Sequence, residues 1–244
     1  MRSDEADVDD GDADDGGASG RRSKLRFHWS ETVERLDALR RRTSLTIAHG
    51  RVAFVGVDDG RSVTFRPPPL LPIGDDVRNA SDYAASFPQR LGRQLVVLFR
   101  AGAFAVGLWS DDDCLHHKVE KAYVVRGNGR AQPTHRKTKG KSRAGARLRL
   151  RNARGLLIEL HDRIDGWLAA TGPVDHRVRA CPVRLWADLR AERPDGAVFG
   201  GAAANAWRTV PWHVPEVTFD ELCRVRERLV HGVIESTESP EVRA

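Results

Sequence analysis

The sequence predicts one mixed α/β (α+β) domain, a mixed β-sheet flanked by helices, over residues 23–238 of the 244-residue chain. Three observations predict this class. Runs rich in β-branched and aromatic residues fill the first half, a long stretch with a period of about 3.6 residues follows, and a strand and a capped helix close the chain. The length also fits one large domain.

The first half predicts a short helix followed by strands. Ser30 can cap a helix in which Val33, Leu36 and Leu39 recur at helical spacing. The run TSLTIAHGRVAFVGVDDGRSVTFRP, with its Asp-Gly turn, predicts strands joined by hairpins. RPPPLLPIG predicts a rigid connector, since consecutive prolines fit neither helix nor sheet. RQLVVLFRAGAFAVGLW and CLHHKVEKAYVV predict three more strands.

The second half changes from strand to helix periodicity. A long amphipathic helix is predicted from a row of apolar residues spaced three or four apart: Leu150, Ala153, Leu157, Leu160, Ile164 and Trp167. Gly155 weakens that helix midway. VRACPVRLWADL predicts another strand, and TFDELCRVRERLV predicts a final helix in which Thr218 and Glu221 have capping-box spacing.

Charge is divided unevenly along the chain. Residues 1–20 hold seven Asp, one Glu and one Arg, a charge of −7; the whole chain carries +6, so the remainder carries +13. Residues 1–22 are therefore predicted to be a disordered acidic tail, and residues 239–244 a disordered C-terminus. A body this basic is attracted to polyanions, most commonly nucleic acid.

Cysteine usage and hydropathy predict a cytoplasmic protein that is not bound to membrane. Three cysteines, odd in number and far apart, are typical of a reducing compartment: Cys114, Cys181 and Cys223. No run approaches the roughly 18 apolar residues of a membrane span. The N-terminus also lacks the pattern of a signal peptide.

The strongest functional signal is residues 121–158, here called the basic segment, which contain twelve Lys or Arg and no Asp or Glu. Ordinary surfaces mix both signs of charge, whereas a surface that binds phosphates excludes carboxylates because they repel the ligand. Arg143, Arg147, Arg151 and Arg154 form a stripe beside the apolar row of the predicted helix. The sequence therefore predicts a nucleic-acid contact here.

Several kinds of chemistry find little support. Cys114, His116 and His117 are close together, but no second pair with metal-ligand spacing accompanies them. No serine has a base and an orienting acid nearby in sequence. At the head of the basic segment, Gln132 carries a carboxamide that does not titrate near neutrality but can hold a water and donate hydrogen bonds to a developing oxyanion.

Four motifs together carry a family resemblance. They are Tyr-x-x-Arg from Tyr123 to Arg126, Gly-x-Ala-Gln from Gly129 to Gln132, SRAGARLRLRN, and RTVPWHVPEVTFDELCRVRERL. In this order they resemble the release-factor-like (VLRF) domain of the Vms/ANKZF-type peptidyl-tRNA hydrolases, over about residues 94–229 and in a single-domain, prokaryotic-type form. The third motif has one extra residue before Asn152, and Ala131 stands where termination factors have a glycine.

The resemblance implies an RNase H-like fold similar to the middle domain of eukaryotic and archaeal release factor one. It also implies codon-independent release of nascent chains from tRNA on stalled or split large ribosomal subunits. The expected partners are the large subunit, peptidyl-tRNA and rRNA, without DNA, cofactor or metal. Gln132, with Gly129 and Ala131, would act on the ester from a basic catalytic loop, residues 126–143. RNA contacts would come from Tyr123, Arg126, Arg130, Arg136, Lys137, Lys139, Lys141, Arg143, Arg147 and Arg151.

Two alternatives stay open at this stage. The same site could cut tRNA near its 3′ end as an endonuclease, leaving nucleotides on the peptide. Alternatively, the chain could bind rRNA or tRNA without catalysis, in which case the cations would matter and Gln132 would not.

Overall fold

The computed structural model describes residues 22–124, 143–200 and 207–238. The strands are β1 Ser23–His28, β2 Thr46–Ile47, β3 Phe54–Asp58, β4 Arg61–Arg66, β5 Arg93–Arg100, β6 Ala103–Ser110, β7 Asp113–Lys121, β8 His176–Ala180, β9 Trp207–Thr209 and β10 His231–Glu238. The helices are α1 Thr32–Arg40, α2 Ala80–Ser86, α3 Arg143–Thr171, α4 Val183–Glu192 and α5 Phe219–Val230.

The mixed α+β class is confirmed, with the strands divided between two five-stranded sheets rather than placed in one. The first, here called the antiparallel sheet, has the order β1-β10-β4-β3-β2. Its apolar face packs on α1 and α2 through Phe27, Phe54, Phe65 and Leu36, all 1% exposed or less. The C-terminal strand β10 lies between β1 and β4, so the two ends of the described chain meet in this sheet.

The second sheet, here called the mixed sheet, has the order β7-β6-β5-β8-β9. β5 pairs antiparallel with β6 and parallel with β8. Its central strands are buried on both faces: Val96 and Leu98 pack with α5, whereas Val97 and Phe99 pack with α3 and α4. Because successive strand residues point to opposite faces, this unbroken apolar run is what a sheet covered by helices on both sides requires.

Several sequence predictions are confirmed locally. Asp59 and Gly60, both at positive φ, turn β3 into β4. Thr218 caps α5 by accepting a hydrogen bond from the Glu221 backbone N–H at 3.1 Å. α3 is continuous through Gly155, which faces open space.

Other predictions are wrong at the level of single elements. Ser30 does not cap α1: a 3₁₀ turn, Trp29–Glu31, comes first, and the Ser30 hydroxyl contacts the His28 ring instead. The second half of VRACPVRLWADL is helix α4, not strand. Leu150 is 58% exposed rather than inward-facing.

None of the helices in the described part of the chain combines the length and the apolarity needed to cross a membrane.

Candidate functional site at the base of the basic segment

The structure describes the base of the basic segment rather than its centre. Tyr123, Arg147 and Arg151 are described, and Arg143 is the first residue of α3. The other predicted site residues lie outside the described residues: Arg126, Gly129, Arg130, Ala131, Gln132, Arg136, Lys137, Lys139 and Lys141.

The chain is fixed at the end of β7, just before the basic catalytic loop. The backbone N–H of Ala122 donates to the carbonyl of Gly102 at 2.8 Å. Gly102 has φ +93°, and an added Cβ would lie 3.0 Å from the Val124 side chain and 3.1 Å from the Ala122 carbonyl. A glycine is therefore needed in this turn both for its backbone angle and for the close approach of the departing chain.

A side chain of α3 also contacts the chain just after β7. The Asn152 amide Nδ2 donates to the Tyr123 carbonyl at 2.9 Å. Asn152 is the last residue of the motif SRAGARLRLRN, so the motif that follows the loop contacts the motif that precedes it. This contact ties the entry of the loop to the helix that begins at its exit.

α3 runs antiparallel to β7 along the edge of the mixed sheet. Near the start of β7, the His116 ring stacks on Trp167 with ring centres 5.4 Å apart. Trp167 and Asn152 are fifteen positions apart along the helix, about 22 Å, and His116 and Tyr123 are seven positions apart along extended chain, about 23 Å. The two contacts therefore match in length, and the nine residues of α3 before Asn152 extend about 13 Å beyond the level of Tyr123.

These first turns of α3 are exposed and cationic. Arg147 and Arg151 are exposed, and neither forms an ion pair within the described ranges. Leu148 and Leu150 are 50% and 58% exposed, which leaves apolar surface beside the guanidinium groups. Exposed arginines beside apolar surface can contact both the phosphates and the bases of RNA.

The helix dipole makes this end of α3 unusual. Its first turn holds no acidic residue and begins with Arg143, although carboxylates are favoured at a helix N-terminus and cations are not. The arrangement costs stability in the free protein and becomes favourable when a bound anion neutralises it. It fits a surface selected for phosphate binding.

Arg154 differs from the rest of the predicted arginine stripe. Its Nε–H is shared between the two carboxylate oxygens of Glu192 in α4, at 3.0 and 3.1 Å, and its Nη2 lies 2.9 Å from Oε1 of the same carboxylate. These hydrogen bonds and the Glu192 charge raise the pKa of Arg154. Arg154 therefore joins α3 to α4 and is less available to phosphates than Arg147 or Arg151.

The histidines of β7 do not converge on one site. His116 faces α3 through Trp167, whereas His117 faces α5 and lies 4.1 Å from the Phe219 ring centre. Neighbouring strand residues point to opposite faces of the sheet, so these two rings cannot bind the same ion. No group of three metal-ligating residues is found where the structure is described.

The acidic turn between β6 and β7 holds α5 in place. Asp111, at φ +50°, accepts hydrogen bonds from Arg90 at 3.0 and 2.6 Å. Asp112 pairs with the largely buried Arg226 of α5 at 2.8 Å. Burial opposes ionisation of Asp112, but Arg226 and His28 outweigh it, so the net pKa of Asp112 is lowered. The turn is thus structural.

The closing motif, which begins at Arg208, covers one face of the mixed sheet. Val210, Val214 and Val217 are buried there together with the inner residues of α5. Arg100, the last residue of β5, donates to the Val214 carbonyl and, at 2.8 Å, to the Pro215 carbonyl. Arg100 directly precedes the turn that contains Gly102, and the Gly102 carbonyl accepts the hydrogen bond from Ala122 at the base of the loop. The closing motif therefore supports this turn.

The sequence alone did not reveal the roles of Asn152 and Arg100. Asn152 appeared only as the last letter of a motif, although a polar residue of low helix propensity inside a helix was a signal for a specific partner. Arg100 had no signal beyond its place at a strand end.

Comparison with known proteins places the chain in a family. Residues 94–237, more than half of the chain, match the family model described as Bacteroidetes VLRF1 release factor. Among solved structures, the chain titled "Vms1 mitochondrial localization core" aligns with a TM-score of 0.48 and 11% identity, covering 84% of each chain. Comparison with curated proteins finds no match. On the match over residues 94–237, this chain belongs to the VLRF1 release-factor family.

Proposed function

We propose that this chain is a ribosome-rescue peptidyl-tRNA hydrolase, which releases nascent chains from tRNA on stalled or split large ribosomal subunits without reading a codon. Membership of a release-factor family supports the general role. The observation that carries the specific proposal is the base of the loop. There, the Asn152 amide donates a hydrogen bond to the Tyr123 carbonyl. The cationic N-terminal turns of α3 extend beyond the level of this contact.

These contacts fix the position at which the loop begins, and the cations beside it provide a surface for RNA binding. Arg147 and Arg151 bind phosphates of rRNA or tRNA, and the lysines of the loop add further contacts. The loop between these anchors carries Gly129, Ala131 and Gln132. Eighteen residues separate Val124 from Arg143, long enough for the loop tip to reach well away from the sheet.

The chemistry proposed for Gln132 is positioning. Its carboxamide orients the attacking water and donates a hydrogen bond to the oxyanion that develops on the ester carbonyl. Surrounding RNA supplies most of the remaining polar groups. Ala131 restricts the backbone beside Gln132 more than a glycine would.

The proposal extends to the organisation and location of the chain. Residues 23–238 form the release-factor-like domain, and residues 1–22 and 239–244 act as tails. The partners are the large subunit, peptidyl-tRNA and rRNA, and the location is the cytoplasm.

The test is single-turnover release of a labelled peptide from peptidyl-tRNA on isolated large subunits, comparing the wild type with Gln132→Ala. Removal of one oxyanion donor and water ligand is expected to slow release by about 10²–10³-fold, while subunit binding stays within twofold. Equal release by the variant would refute the assignment of Gln132.

The same reaction separates the two alternatives. Ester hydrolysis leaves tRNA intact, whereas tRNA scission leaves nucleotides on the peptide, and mass spectrometry of the peptide distinguishes them. A non-catalytic RNA-binding protein would release no peptide, and its subunit binding would depend on Lys137, Lys139 and Lys141 but not on Gln132.

A further inference from the structure

A second basic surface lies on the antiparallel sheet, away from the loop base. It is a cleft of about 780 Å³ between β1, β4 and β10 on one side and Trp212 and α5 on the other, here called the basic cleft. Its volume falls within the range of ligand-binding pockets. Five cations line it against one carboxylate, Asp75: Lys24, Arg26, Arg51, Arg66 and Arg228.

Three of these cations have no internal counterion. Arg66 pairs with Glu235, and Arg51 lies 3.8 Å from Asp75, which is fully exposed. Within the described ranges, no carboxylate forms an ion pair with Lys24, Arg26 or Arg228, although Glu235, the partner of Arg66, is also the cross-strand neighbour of Lys24. The cleft therefore keeps a positive potential that an anionic ligand would neutralise.

The sheet register sets two arginines side by side. Arg26 is paired with Val233, and Val233 is paired with Arg66, so all three lie in one row on the same face. With strands 4.7–4.9 Å apart, the Cα atoms of Arg26 and Arg66 are about 9–10 Å apart across Val233. Arg66 is already paired with Glu235, so Arg26 is the arginine of this row whose guanidinium fork can contact the oxygens of a phosphate without displacing a carboxylate.

The opposite wall offers planar and apolar surface. The Arg228 guanidinium lies 4.2 Å from the centre of the Trp212 ring. Pro68, Pro72 and Ile73 contribute apolar lining nearby. A stacked guanidinium beside apolar walls suits a nucleobase, because bases stack on arginine planes and aromatic rings in single-stranded RNA recognition.

We infer that the basic cleft binds a nucleotide unit of single-stranded RNA, with its phosphate on Arg26, next to the Arg66–Glu235 ion pair, and the base against Arg228 and Trp212. This adds a second RNA contact to the proposed function and rests on its RNA partners, but not on the chemistry at Gln132. The acidic residues 1–20 would complement the charge of the cleft, but they contain no aromatic side chain that could stack on Arg228 or Trp212.

The experiment is binding and crosslinking of a fluorescent RNA hexamer that contains 4-thiouridine, with the full-length chain. Arg26→Gln combined with Arg228→Gln is expected to weaken hexamer binding about tenfold, since one phosphate contact and one base contact are lost. Lysine at both positions should restore part of the affinity. Crosslinks in the wild type are expected at Trp212 and near Arg228.

Arg61→Gln combined with Arg78→Gln is the matched control, because both arginines are exposed and neither lines the cleft. It removes the same charge and should change binding less than twofold. Arg228→Ala provides a second cleft variant that leaves the sheet intact; it should reduce both affinity and crosslinking.

Crosslinks confined to residues 125–151, or equal weakening by the control pair, would overturn the inference. So would selective displacement of the hexamer by free phosphate alone, which would show a simple anion site. If a peptide of residues 1–20 bound the cleft and the hexamer did not, the ligand would be an acidic segment and the inference would be wrong. Peptide release that stays intact while the cleft fails to bind RNA would leave the proposed function standing.

Discussion

At the scale of single residues, the contact that matters most for the proposed function is the hydrogen bond from Asn152 to the Tyr123 carbonyl. This hydrogen bond takes no part in ester hydrolysis, so its effect is to fix the position at which the loop begins. A hydrogen bond in an exposed position contributes only about 0.5–1.5 kcal/mol to stability. Its loss should therefore affect loop placement more than folding.

Asn152→Ala is expected to slow peptide release on large subunits about tenfold, while subunit affinity stays within twofold and the melting temperature falls by only a few degrees. Asn152→Asp should be equally slow, because it keeps the side-chain shape but an ionised carboxylate cannot donate to the Tyr123 carbonyl. The measurement is the single-turnover release rate together with subunit affinity. Release at the wild-type rate in both variants would show that this hydrogen bond has no positioning role.

At the scale of elements, alanine substitutions at two glycines with opposite surroundings test the helical geometry of α3 and the packing of the antiparallel sheet. Gly155 lies inside α3 with nothing within 4 Å of an added Cβ, whereas a Cβ at Gly232 would lie 2.1 Å from the buried Phe27 ring. Gly155→Ala should raise the free energy of unfolding by about 0.5–1 kcal/mol. Gly232→Ala should lower it by about 1–3 kcal/mol, because Phe27 must move.

Urea unfolding followed by circular dichroism measures both changes. Each variant is the control for the other, since the substitution is identical and only the surroundings differ. A destabilised Gly155→Ala would show that α3 is not a regular helix at that point. Unchanged stability of Gly232→Ala would show that the Phe27 ring does not pack over Gly232.

The same elements show how far the sequence predicts the fold. The hairpin from β3 to β4 was predicted correctly because its Asp-Gly turn is encoded by neighbouring residues. The strands β5, β6 and β7 were predicted correctly from their β-branched and aromatic composition. β1 and β10 were missed because their pairing joins residues about 200 positions apart, and β10 follows α5 with no turn between them. α4 was mistaken for a strand since its run is rich in apolar residues, although Pro182 before it was a helix-start signal.

The candidate site was predicted from the sequence in composition but not in arrangement. The excess of cations and the order of motifs were visible in the sequence. The ion pair of Arg154 was not visible in the sequence, because Glu192 lies 38 positions away and reaches Arg154 only through the packing of α4 on α3. Tertiary contacts of this kind leave no local pattern.

At the scale of the whole molecule, the two sheets depend on each other. The family match begins at Gln94, in β5, and extends through most of β10. β10 nevertheless lies between β1 and β4, which are outside the match. Removing β10 would unpair both neighbours, so the strands within residues 22–93 complete a sheet of which one inner strand, β10, belongs to the matched region.

The charge of the whole molecule leads to the last prediction, which concerns salt. If about six phosphates are neutralised, log affinity for large subunits should fall with log salt concentration at a slope of about −4 to −5. Arg151→Gln should reduce the magnitude of that slope by about 0.7–0.9, the share of one phosphate contact. Arg154→Gln should change it little, because Glu192 already occupies that guanidinium. Both arginines lie on α3 and lose the same charge, so a nonspecific charge effect would give two equal changes and contradict the assignment of Arg151 to the RNA interface.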